Sequence, residues 1–190
     1  GTGTQKAEAA IEELDEEIKI LRMDQDSTAR KFAHEEILHD FAAGKANVLL
    51  GTQMVAKGHD IANVTLVGIL AADSQLNLPD FRAGEKTFNL LTQAAGRAGR
   101  GGKTGYVVLQ TYDADNEIIK LAARQDYDVF AKQELLVREE LLYPPFTQLL
   151  KITIVDRTQN TANVLAQRIV NYLQTIGVNE PNTDLTVMGP

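Results

Sequence analysis

The string Gln93-Ala94-Ala95-Gly96-Arg97-Ala98-Gly99-Arg100, followed by Gly101 and Gly102, holds the residues best suited to phosphate chemistry. On a helix, two arginines three positions apart leave one face about one turn apart. The small residues between them let that face come close to a partner. Planar, permanently charged guanidinium groups make paired hydrogen bonds to phosphate oxygens. This is the chemistry of an arginine finger, which stabilises charge developing on the γ-phosphate of a nucleotide. The plainer alternative is that Arg97 and Arg100 pair with acidic groups on a neighbouring element. The sequence contains no G-x-x-x-x-G-K-[ST] loop to cradle phosphates and no D-E-x-H metal box, so half of a nucleotide site is missing.

A second loaded segment is Gly51-Thr52-Gln53-Met54-Val55-Ala56-Lys57-Gly58-His59-Asp60. A glycine-threonine pair just after a buried strand exposes backbone N–H groups and a hydroxyl, which suits a phosphate oxygen. Gly58 permits close backbone approach, and Asp60 can accept hydrogen bonds from ribose hydroxyls. Each of these is a weak signal alone, since a strand followed by Gly-Thr occurs in many α/β proteins. Lys57 and His59 read as structural or interface residues. His34 and His39, five apart, lack metal-ligand spacing and read as surface or half-buried. Asp73 and Asp80 can cap helices. Tyr112, Tyr127 and Tyr143 could stack bases, but packing is their default role.

The elements that position these segments alternate. Ala7 to Glu17 reads as an acidic helix with Ala10, Ile11, Leu14 and Ile18 at helical spacing. Ile18 to Met23 is a strand, and the polar turn from Asp24 to Thr28 caps a helix running from about Ala29 to Ala43. Phe32, Ile37, Leu38 and Phe41 form its buried side, and Gly44 ends it. Val48 to Leu50 and Val64 to Leu70 are buried strands, Thr87 to Ala98 a helix, and Gly105 to Gln110 the next strand. The pattern predicts a parallel sheet covered on both faces, with ligands at the carboxyl ends of its strands, where the Asp24 turn and Gly51-Thr52 lie. Ile118 to Leu142 is two helices broken near Gln125-Asp126, stopped by Tyr143-Pro144-Pro145-Phe146. Lys151 to Val155 (strand), Gln159 to Thr175 (helix) and Leu185 to Met188 (strand) begin a second α+β unit. The predicted domains are therefore 1–142 and 143–190.

Composition bounds the class. With 44% hydrophobic and 24% charged residues, the sequence is that of an ordinary soluble globular domain. A net charge of −7 argues against coating nucleic acid by bulk charge, so only the positions of Lys57, Arg82, Lys86, Arg97, Arg100 and Lys103 point to phosphate. The acidic run Glu12, Glu13, Asp15, Glu16 and Glu17 reads as a solvated helix face. No apolar run approaches the roughly 18 residues that span a bilayer, and no signal peptide is visible. The absence of cysteine excludes disulfides and thiolate zinc sites within the sequence and fits a reducing cytoplasm.

In order, the two loaded segments resemble motifs V and VI of the superfamily 2 helicases, G-T-x-x-x-x-x-G-x-D followed by Q-x-x-G-R-x-G-R. The likeness is closer still to the primosomal replication restart helicases of the PriA type. It rests on Gly1-Thr2-Gly3-Thr4, Arg22-Met23-Asp24-Gln25-Asp26, Gly51 to Met54, Ala56 to His59, Val64 to Val67, Asp80-Phe81-Arg82-Ala83, Leu91 to Gly101, Val108 to Thr111 and Tyr143 to Phe146.

The resemblance implies a RecA-like helicase lobe 2 of α/β fold, followed by a partial α+β C-terminal domain. It implies that the phosphate loop, the Mg²⁺-binding box and zinc-binding cysteines lie upstream, so that ATP and Mg²⁺ serve the full-length protein and no metal binds this piece. Gln93 would orient the attacking water or touch the γ-phosphate. Arg97 and Arg100 would bind that phosphate, with Arg100 the preferred finger. Gly58 and Asp60 would lie near the ribose, Asp60 being the least secure match. Thr52, assisted by Arg22 from the turn after the first strand, would hold a DNA backbone phosphate. Gly84 departs from the family pattern, which has a bulkier small polar residue there; if the position only caps a helix, the change matters little. Implied partners are single-stranded and forked DNA, single-stranded DNA-binding protein and other primosome components, with no membrane. A non-catalytic docking module for DNA or primosome proteins is the competing class. A dinucleotide-binding enzyme fails for want of G-x-G-x-x-G.

Overall fold

Two short runs of apolar residues set the frame. Ile20–Met23 (β1) and Val48–Gly51 (β2) pair in parallel, from Ile20 opposite Val48 to Met23 opposite Gly51. Parallel neighbours need a crossover, and the chain between them contains helix α2 (Ala33–Ala42). Gly44, at φ +76°, takes the left-handed conformation that ends α2. Because β1 and β2 are parallel and in register, their carboxyl ends coincide, and Asp24 and Thr52 follow them directly. Met23, fully buried, and Leu38 centre a small core against which Ile37, Phe41, Leu49, Val55 and Val64 pack.

The computed structural model describes residues 3–24, 33–56, 64–99, 103–179 and 185–189. It divides into two compact units, Gly1–Tyr143 and Pro144–Pro190. Within the first, α1 (Thr4–Glu12) precedes β1. It ends five residues before the predicted Glu17, and Leu14 is 78% exposed rather than packed. The acidic run is the reason. The Asp15 carboxylate accepts the Glu17 backbone N–H at 2.9 Å, a local bond that competes with helix continuation.

Leu66–Ile69 (β3) and Tyr106–Leu109 (β4) form a second parallel pair. Ile69 and Leu109 pack on the main core of Ala72, Phe88, Leu91, Ile119, Leu121, Ala122 and Phe130. Among the described residues Leu66, Tyr106 and Val108, on the other face of this pair, are exposed. Among the described residues the two pairs do not join into one sheet.

Three helices complete the core: α4 (Ala83–Ala95), α5 (Glu117–Arg124) and α6 (Tyr127–Glu140). Phe88 of α4 stacks on Phe130 of α6 with centroids 4.1 Å apart and planes 7° from parallel. Gly84 does more than cap α4. A Cβ there would lie 2.9 Å from Ile118 Cδ1 and 3.2 Å from Glu134 Oε2, so the missing side chain lets α4 approach α5 and α6.

The break between α5 and α6 falls where the sequence predicts it. Gln125 takes φ +55°, and the Asp126 carboxylate accepts the Val129 N–H at 3.3 Å as the N-cap of α6. Asp126→Ala is expected to destabilise the first unit by about 1 kcal/mol. Urea denaturation of the two proteins checks this, and an unchanged midpoint would refute the cap.

The second unit contains α7 (Gln159–Asn179), longer than the predicted Gln159 to Thr175. The Thr158 hydroxyl accepts the Thr161 N–H at 3.3 Å at its start. Lys151 to Val155 and Leu185 to Met188 do not form the expected strands. Alternation marks a half-buried strand only where a neighbour closes the ladder, and no ladder partner is present among the described residues. No helix of the described residues is long and apolar enough to cross a membrane.

Candidate functional site

At the carboxyl end of β2, a Cβ on Gly51 would sit 2.3 Å from the Met23 carbonyl oxygen and 2.4 Å from Val55 Cγ2. Only glycine fits, because backbone blocks one side. Thr52 follows, exposed, and its carbonyl accepts the Val55 N–H at 3.1 Å to open a short helix, α3 (Gln53–Ala56). That helix is absent from the sequence reading. Lys57, Gly58, His59 and Asp60 lie outside the described residues.

Arg22 lies in β1 itself, not in the turn after it. Its Nη1 donates to Glu8 Oε2 at 2.8 Å, and its Nε lies 2.8 Å from Asp24 Oδ2. Asp24 is buried and also accepts the Thr4 hydroxyl at 2.7 Å. Two carboxylates thus face one guanidinium, which fastens α1 to the end of β1. Sequence reasoning missed this network. The legible signal is an acid two residues after an arginine in a strand, where the period of two puts both on one face.

Gln93 is exposed in the last turn of α4. The expected helix through Ala98 is not what forms. The helix ends at Ala95, and the N–H groups of Arg97 and Ala98 bond three residues back, to Ala94 and Ala95, in tightened turns. Arg97 is therefore a half-buried turn residue. Arg100 lies outside the described residues. Two glycines divert the chain: Gly96 is the C-cap, and Gly99 adopts φ +79°.

The turn is pinned by backbone. Gly99 N–H donates to the Val64 carbonyl at 2.9 Å, and Tyr106 N–H to that of Thr65 at 2.8 Å. A Cβ on Gly105 would lie 2.2 Å from Gly99 N, so the two glycines meet without room for a side chain. The loop from Gly99 to Gly105 is held closed at its base. Val64 and Val55 both pack on the Met23–Leu38 core, and α3 touches α4. Thus the Gly51-Thr52 corner and the Gln93–Gly99 segment share neighbours.

The other residues singled out take plain roles. Asp80 accepts from the Lys86 ammonium and the Arg82 N–H, which hold its carboxyl well below the usual carboxylate range and organise the start of α4. Asp73 accepts the Tyr112 N–H at 3.2 Å and caps no helix. His39 is exposed and His34 half-buried. Tyr143 stacks on Phe81 at 5.1 Å, and Tyr127 touches Phe88. Tyr112, 90% exposed, does not pack as expected.

The family described as the helicase conserved C-terminal domain matches residues 2–102, from α1 through the arginine turn. The chain belongs to that family. Replication restart protein PriA of Bacillus subtilis (strain 168) is 45% identical over 190 residues, which is 100% of this chain and 23% of that protein. PriA of Chlamydia pneumoniae is 42% identical over 174 residues, covering 92% of this chain and 23% of the relative. PriA of Haemophilus influenzae is 39% identical over 190 residues, 100% of this chain and 26% of its own. The chain spans about a quarter of the length of these curated relatives. Every site residue predicted from the sequence falls within the matched part of this helicase C-terminal domain: Arg22, Thr52, Gly58, Asp60, Gln93, Arg97 and Arg100.

Proposed function

We propose that this chain is the second motor lobe of an ATP-driven 3′–5′ DNA helicase for replication restart, and that it contributes half of a shared nucleotide site. The observation that carries this reading is the shared packing of the Gly51-Thr52 corner and the Gln93–Gly99 segment, in a sequence with no phosphate loop or Mg²⁺-binding box. Arg97 and Arg100 present guanidinium groups to the γ-phosphate, and Gln93, exposed at the end of α4, orients the attacking water. Gly58 and Asp60 approach the ribose. Thr52 donates its hydroxyl to a DNA backbone phosphate, a contact that is independent of sequence and weakened by salt. Arg22 joins it only by giving up part of its hold on Glu8 and Asp24.

ATP is the substrate. Mg²⁺ and zinc belong to the longer protein. Among the described residues no three His, Asp or Glu side chains are placed to hold a metal ion. The partners of the longer chain are single-stranded and forked DNA, single-stranded DNA-binding protein and primosome components, and it works in the cytoplasm.

This chain alone is expected to turn over no ATP above background. A longer chain that adds the phosphate loop should hydrolyse ATP and be stimulated by single-stranded DNA. A coupled-enzyme assay on both proteins tests the reading. Turnover by the short chain that depends on Arg100 would sink it.

A further inference from the structure

Of the three tyrosines suited to stacking a base, two are engaged in packing: Tyr143 lies on Phe81, and Tyr127 against Phe88. Tyr112 is 90% exposed, so burial does not account for its ring. The backbone beneath that ring is nevertheless fixed. β3 and β4 run in register to Ile69 opposite Leu109, so their carboxyl ends coincide, and Tyr112 stands three residues beyond Leu109. Gln110 ties the two ends together: its side-chain oxygen accepts the Ala71 N–H at 2.6 Å, and its carbonyl accepts the Ala72 N–H at 2.9 Å. Ala71 takes φ +50°, a left-handed conformation uncommon in a residue that has a Cβ. The Asp73 carboxylate accepts the Tyr112 N–H at 3.2 Å, and the Thr111 hydroxyl accepts the Asp113 N–H at 3.0 Å. A pinned turn thus presents an uncovered ring at the end of the strands where ligands bind in parallel α/β sheets.

We infer that Tyr112 is a stacking platform for an unpaired base of single-stranded DNA, a role that rests on the function proposed above. A tyrosine ring offers a flat apolar face with only two side-chain torsions to fix. Every base has a π-face, so the contact is independent of sequence. The surrounding charge selects which part of the strand meets the ring. Asp73, Asp113 and Asp115 repel a phosphate but not a neutral base, and each carboxylate already has a partner. Asp73 holds the Tyr112 N–H, Asn116 donates to Asp113 at 3.3 Å, and Lys120 donates to Asp115 at 2.9 Å. Tyr112 therefore differs in kind from Thr52, whose hydroxyl is assigned to a backbone phosphate.

The test uses the longer chain that carries the phosphate loop, without nucleotide. The probes are single-stranded oligothymidylates with one 2-aminopurine at successive positions. Binding is read by anisotropy, and stacking by 2-aminopurine emission. At one or two positions emission should fall about twofold on binding, because stacking on an aromatic ring quenches it. Tyr112→Ala is expected to abolish that quenching and to weaken binding about tenfold, within the range of one base–aromatic stack. Its melting temperature should not change, since an exposed side chain contributes little to stability; a lowered one would mean that the ring packs, against the inference. Tyr112→Phe keeps the ring, loses the hydroxyl and should behave as the unsubstituted protein. An unchanged quenching profile in Tyr112→Ala overturns the inference whatever the affinity, and so does lost quenching in Tyr112→Phe. Binding without quenching at any position in the unsubstituted protein overturns the inference alone. An unsubstituted longer chain that binds no single-stranded DNA overturns the proposed function along with it.

Discussion

Arg100→Ala in a longer chain that completes the nucleotide site is expected to lower kcat for ATP about a thousandfold, the low end of what an arginine finger supplies in phosphoryl transfer. In free energy that is roughly 4 kcal/mol of transition-state stabilisation. Charge on the transferring phosphoryl group spreads over its equatorial oxygens, and a guanidinium in a water-poor cleft meets it with fixed donors. Because the contact strengthens only as charge develops, KM should move much less than kcat. Arg97→Ala should cost less, about a hundredfold, because Arg97 is half-buried in the turn and already has protein neighbours. Steady-state kinetics on both variants checks the order. Equal, small losses would return both arginines to the plainer role of pairing with acidic groups.

Gly105→Ala is expected to destabilise the first unit by about 3 kcal/mol, the upper end of ordinary overpacking. The new Cβ would stand 2.2 Å from Gly99 N, 2.5 Å from the Ala98 carbonyl carbon and 2.6 Å from Gly99 Cα. All three are backbone atoms, so no rotamer change relieves the clash, and either β4 or the arginine turn must shift. Gly99→Ala is the milder partner, expected near 1 to 2 kcal/mol, since its Cβ contact is 3.0 Å and its main penalty is φ +79°. Thermal melts of the three proteins give the ranking. A Gly105→Ala protein that melts with the unsubstituted one would mean the two backbones do not touch in solution.

Much of the scaffold is legible in the residues. Gly44 ends α2, the run before Gln125-Asp126 breaks on schedule, and the carboxyl ends of β1 and β2 bring Asp24 and Thr52 side by side. These features depend on local chemistry: a glycine at positive φ, a capping acid, a run of β-branched and aliphatic residues. The misses depend on what lies across space. Ala94, Ala95 and Ala98 are good helix formers, yet the helix stops at Gly96, and Gly99 bonds instead to the Val64 carbonyl across space. Glu8 and Asp24 both reach Arg22, and the sequence reading held no sign of that network. Gly84 reads as a neutral departure until Ile118 and Glu134 appear where its side chain would be. Lys151 to Val155 alternates correctly and still lacks a strand to pair with among the described residues.

Single-turnover cleavage of ATP by the longer chain, bound to single-stranded DNA, tests most directly whether this lobe completes a shared site. Arg100→Ala should bind ATP within about threefold of the unsubstituted affinity and cleave it about a thousandfold more slowly. Undiminished cleavage in Arg100→Ala, and in the double variant with Arg97→Ala, would contradict the account.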